Sequence, residues 1–182
     1  MFIIYLGEKI QNACRKAFEK PEVPEEARLG NELIAEVSKP VGECSIAKCI
    51  SLIADGARLD MDNGDHKTAF LLAAWHGHTE VFKAITDQGV NFNQTDELQN
   101  TAMMIAAEKG HGDIIDFLID EVHHEKGRPD AEMKNYHVDT AYSLAAREGH
   151  QAIAAKIAPR MGENALAAAK KRSKGRDITP II

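Results

Sequence analysis

One heptapeptide pattern occurs three times in this chain. Thr68-Ala69-Phe70-Leu71-Leu72-Ala73-Ala74 returns 33 residues later as Thr101-Ala102-Met103-Met104-Ile105-Ala106-Ala107, and after a further 39 as Thr140-Ala141-Tyr142-Ser143-Leu144-Ala145-Ala146. Two residues beyond each copy stands a Gly-His pair: Gly77-His78, Gly110-His111 and Gly149-His150. A second apolar stripe at helical spacing follows in the same register, Val81 with Ile85, Ile114 with Leu118, Ile153 with Ile157. Two helices joined by a tight Gly turn and repeated at this period cannot close around one central core. Each unit has an apolar face that it cannot cover alone, so neighbouring units must stack.

The shared letters have local reasons. Thr precedes each first helix, where its hydroxyl can accept an orphaned backbone N–H. The Ala-Ala pair allows helices to approach closely. Gly ends the first helix because a positive φ costs other residues more. With 26 alanines and only 5% aromatic residues, the 182-residue chain suits close-packed helices better than a sheet sandwich, which favours β-branched and aromatic residues.

Three T-x-x-x-x-A-A copies in register with Gly-His resemble the ankyrin-repeat family and its pattern T-P-L-H-x-A-A, then G-H, a second helix and a hairpin. Three units match over about Asn63–Met161, and a fourth, degenerate unit precedes them, with Asp55-Gly56-Ala57 aligned to Gln88-Gly89-Val90. Its helices are expected near Glu32–Val37 and Ser45–Ala54. The resemblance implies an all-α stack of about four units over residues 31–162. An N-terminal helical extension over 1–30, with Leu6, Ile10, Cys14 and Phe18 on one stripe, would flank it, and a C-terminal capping helix with a basic tail over 163–182. Departures from the pattern carry their own expectations. The motif His is Leu71, Met104 and Ser143, and the turn Gly before each Thr is His66, Gln99 and Val138. A β-branched Val resists positive φ, so the last hairpin should be distorted. Val122 replaces the stop Gly in the longer third interval, so that unit's second helix should run on into His123-His124.

The resemblance also implies a function class, a non-catalytic module that binds a partner protein or peptide through a concave groove and its hairpin tips. The groove-facing helix ends would be Trp75 and His76, Glu108 and Lys109, Arg147 and Glu148. The tips would be Asp65 and Lys67, then Glu97, Leu98 and Asn100, then Tyr136, His137 and Asp139. Trp75, the chain's one Trp, is the expected exposed anchor of that groove, since Trp, Tyr and Arg dominate interface energetics.

Other classes find little support. No nucleophile elbow, P-loop or dinucleotide fingerprint occurs, so the chain does not read as an enzyme or as a holder of cofactors. His78, His111 and His150 fall one per unit and cannot converge on one ion. No H-E-x-x-H is present, which leaves His123, His124 and His137 as the one place where metal ligands could gather. Net charge is −6, yet residues 165–182 hold five basic groups and one acid, so the body is acidic and the tail basic. An acidic body without aromatic interleaving in the tail argues against nucleic acid. Three cysteines without a C-x-x-C point to a reducing, cytoplasmic setting, and no apolar run nears the roughly 20 residues of a membrane span. A monomeric adaptor is the first reading. An inhibitor or translocated effector, or a metal- or nucleic-acid-directed protein using the His-rich insert and tail, is the alternative.

Overall fold

The computed structural model describes residues 23–120 and 129–174. The helices are α1 (Glu25–Val37), α2 (Ile46–Ala54), α3 (Ala69–His76), α4 (Thr79–Asp87), α5 (Ala102–Lys109), α6 (Gly112–Ile119), α7 (Ala141–Arg147), α8 (Gln151–Ile157) and α9 (Glu163–Lys174). They form four two-helix units and a final helix. First helices pack side by side, α1 on α3, α3 on α5 and α5 on α7. Second helices do the same, α2 on α4, α4 on α6 and α6 on α8, and α9 closes the stack against α7. The hairpins between units pair only through isolated antiparallel bridges, Asp62 with Thr68 and Thr95 with Thr101.

Burial follows the repeated pattern. Residues Ala69–Ala74 and Ala102–Ala107 are buried on every side, as expected of helices with a neighbour on each flank. The second-helix stripes Val81/Ile85, Ile114/Leu118 and Ile153/Ile157 are buried too. Phe70 stacks on Phe82 at 4.5 Å between ring centroids, and Phe82 meets Phe117 edge-on at 6.0 Å, which joins the second and third units.

The Gly-His pairs bind unit to unit. Gly77, Gly110 and Gly149 all take positive φ of 76–85°. A Cβ on Gly77 would lie 2.7 Å from the His111 ring, and one on Gly110 2.6 Å from the His150 ring. Only Gly satisfies both the backbone angle and the close approach. The imidazole then reaches back across the joint: Nε2 of His78 donates to the Lys39 carbonyl at 2.8 Å, and Nε2 of His111 to the Trp75 carbonyl at 3.0 Å. Carbonyls only accept, so the ring nitrogen must carry the proton.

Four expectations need correction. Helix α1 starts at Glu25, not near Glu32, so the boundary drawn between residues 30 and 31 falls inside it. At Gly30, within the helix, a Cβ would meet the Arg58 carbonyl oxygen and the Met61 sulfur at 2.8 Å. Helix α6 does not run on, because Asp120 turns extended (ψ 122°) and Arg160 donates to the Ile119 carbonyl at 2.7 Å, satisfying the helix end. His123 and His124, like the stripe from Leu6 to Phe18, lie outside the described residues. Thr101 and Thr140 cap their helices as expected, but the Thr68 hydroxyl instead donates to Gln94 Oε1 at 3.0 Å. Finally, the last hairpin is not distorted.

That hairpin shows why. His66, Gln99 and Val138 hold φ near +55 to +60°, the glycine-like conformation, without being glycine. Three residues earlier in each loop stands Asn63, Asp96 or Asn135. One side-chain oxygen of each accepts two backbone N–H groups, those of Asp65 and Lys67, of Leu98 and Asn100, and of His137 and Asp139. Two such bonds, at about 1 kcal/mol apiece, offset a backbone strain of roughly 1–3 kcal/mol. Backbone bonds add to them, Val138 N–H to the Asn135 carbonyl and Tyr136 N–H to the Leu98 carbonyl of the previous hairpin. The strain persists but is overruled. Val138→Gly should therefore raise stability by about 1 kcal/mol in urea unfolding. Unchanged or lowered stability would show that the loop is relaxed as it stands.

Candidate functional site

Three pairs of positions are equivalent from unit to unit, each a hairpin residue and a residue at the end of its own first helix. In the second unit Lys67 lies over the Trp75 ring, its Nζ 4.4 Å from the centroid. In the fourth unit the same two positions are Asp139 and Arg147, joined by an ion pair at 2.8 Å. In the third they are Asn100 and Glu108. One backbone geometry thus presents a cation–π contact, a polar pair and a salt bridge in succession.

Trp75 is half-buried, which corrects the expectation of an exposed ring. It packs on the core, and Lys109 of the next unit also lies over the ring, its Nζ 4.0 Å from the centroid. Lys109 is also near Glu108, at 3.6 Å. His76 is half-buried beside it, its ring 5.7 Å from that of His78. Burial, and then the neighbouring His78, His111 and Lys67, push its pKa down, so the ring is neutral at neutral pH. The hairpin tips carry the exposed side chains. Leu98 is 49% exposed and Tyr136 65%, flanked by exposed Asp65, Glu97 and His137, with Glu148 exposed at the end of the fourth unit's first helix.

Three of the expected contact residues face the stack instead. Asn100 donates to Asp96 and accepts from Asn135 Nδ2 at 2.8 Å, which ties successive hairpins together. Asp139 is only 3% exposed; Arg147 Nη1 and Arg172 Nε reach it at 2.8 and 3.3 Å. Burial raises the pKa of its carboxyl, but the hydrogen bond and charge of Arg147, and those of Arg172, outweigh that and hold it low. Arg147, which also meets Glu148 at 3.2 Å, is committed to this network, and Arg172 additionally donates to the His137 carbonyl. Their position is forced by the cap: α9 lays Arg172 over the last hairpin, where no further unit follows among the described residues.

Sequence reasoning also missed the Asn63, Asp96 and Asn135 loop closures. Their signal was present, an Asn or Asp five residues before each repeated Thr. Among the described residues no group of three His, Cys, Asp or Glu side chains is placed to hold a metal. Cys44 lies in the bend before α2, with its sulfur 3.7 Å from that of buried Cys49, whose thiol burial pushes up to about 12.

Asp139→Ala leaves two guanidinium groups without their carboxylate and should cost about 2–3 kcal/mol. Amide exchange across 163–174 should accelerate with it; a loss under about 0.5 kcal/mol would mean that α9 docks without the network. Because the folded pKa is depressed, this contribution is present above about pH 4 and disappears as pH falls through the lowered value.

No helix among the described residues is long and apolar enough to cross a membrane. No curated protein matches the chain. The family model described as ankyrin repeats (3 copies) matches residues 42–130 and 70–169, overlapping placements that together span most of the sequence. With the stacked two-helix units and their Gly-His joints, this match shows that the chain belongs to the ankyrin-repeat family.

Proposed function

We propose that this chain is a monomeric, non-catalytic adaptor that grips a partner protein or peptide along the edge from Trp75 to the hairpin tips. Ankyrin repeats are in general protein–protein interaction modules. The observation that carries the finer reading is the Trp75 ring, contacted by Lys67 and Lys109 and left half-open to solvent. A large aromatic ring fixed in place loses little conformational freedom on binding and is ringed by polar groups, the usual setting of an interface hot spot. Exposed Leu98 and Tyr136 extend the same edge by apolar contacts, and Asp65, His76, Glu97, Glu108, His137 and Glu148 supply its polar rim. A cytoplasmic address is supported by three cysteines lacking C-x-x-C spacing.

Trp75→Ala should reduce stability by about 1–2 kcal/mol, since the ring is half-buried and loses two cation–π contacts. Affinity for a partner recovered by pull-down and mass spectrometry should fall by about 2 kcal/mol. Tyr136→Ala, at a more exposed site, should weaken the same partner while leaving stability within about 0.5 kcal/mol. A partner bound equally well by both variants would overturn this edge as the binding surface.

A further inference from the structure

A cleft of about 540 Å³ lies between the last hairpin and α9, within the size range of ligand-holding pockets. Its walls are apolar, Val138 on one side and Ala165, Ala168 and Ala169 on the other. Lys134 and Lys171 stand at its margin. Arg172 and Asp139 also line it, but they are matched to each other and to Arg147. Among the described residues neither Lys134 nor Lys171 has an ion-pair partner. In a chain of net charge −6, this is an apolar trough bordered by uncommitted positive charge.

Val138 is the exposed apolar residue of the hairpin wall. It is β-branched, holds φ at +60°, and is 48% exposed. Its φ is the one that His66 and Gln99 take at the equivalent positions of the other hairpins. Its side chain forms a wall of the cleft.

We infer that this cleft is a second docking site, distinct from the Trp75 edge, which takes an acidic peptide segment carrying branched aliphatic side chains. The aliphatic group lies against Val138 and the alanines of α9, and flanking carboxylates pair with Lys134 and Lys171. Charge complementarity selects this occupant over the chain's own residues 175–182, whose Arg176 and Asp177 cancel.

The test uses the full chain and a fluorescein-labelled octapeptide of alternating glutamate and leucine, capped at both ends, read by anisotropy. Saturable micromolar binding that weakens with salt is expected. Lys134→Glu combined with Lys171→Glu, both surface changes, should weaken it at least tenfold. Val138→Gly should weaken it several-fold while making the protein more stable, a split that a purely structural role for Val138 would not produce. Trp75→Ala should leave this affinity unchanged, which separates the cleft from the Trp75 edge. The inference is overturned if the charge reversal has no effect, or if a glutamate–serine octapeptide binds as tightly. It is equally overturned if truncation after Lys174 raises affinity tenfold, which would make the tail the occupant, or if the cleft is closed by self-association in sedimentation.

Discussion

The stack depends on an imidazole set against a glycine. At two joints, Gly77 with His111 and Gly110 with His150, the ring of one unit lies where a Cβ of the preceding unit would be, and the backbone there takes a positive φ that glycine adopts freely. His78 and His111 then hand their Nε2 protons to carbonyls at the end of the preceding first helix, positions that intrahelical bonding leaves unsatisfied. A single side chain thereby sets spacing, register and hydrogen bonding between units. The Ala-Ala pairs and apolar stripes supply the burial energy, and the histidine decides how that buried surface is aligned. The acceptor for His111 is the carbonyl of Trp75, so the same joint fixes the residue at the centre of the proposed binding edge.

Variation is concentrated where the stack tolerates it. The hairpin-to-helix-end pair is Lys67 with Trp75 in one unit and Asp139 with Arg147 in another. The backbone is the same, and the surroundings decide the outcome. In the second unit the pair stays half-open and can meet a partner. In the fourth, Arg172 from α9 closes over the carboxylate and turns the pair into an anchor for the cap.

The repeated features were legible because their causes are local and recur: the Ala-Ala pairs, the Gly turns and the stripes. The departures arise from contacts made at a distance. Gly30 sits inside α1 because the Arg58 carbonyl and Met61 pack against it. Thr68 has the letter of a cap, but Gln94 takes its hydroxyl. Val138 resists its conformation by its own preference and adopts it because Asn135 binds two amides across the loop. Asp139 and Arg147 read as surface charges since nothing in their immediate sequence announces Arg172. Trp75 was judged too exposed, because the lysines covering it come from a hairpin before it and a helix after it.

The imidazole protons test the account most directly. Long-range proton–nitrogen correlation spectra of the histidine rings distinguish the two neutral tautomers. His78 and His111 should both appear as Nε2–H tautomers, with ring protons that exchange more slowly than those of exposed His66 and His137. Nδ1–H tautomers at these two residues, or ring protons exchanging as fast as the exposed ones, would contradict the claim that the joints between units are made by these hydrogen bonds.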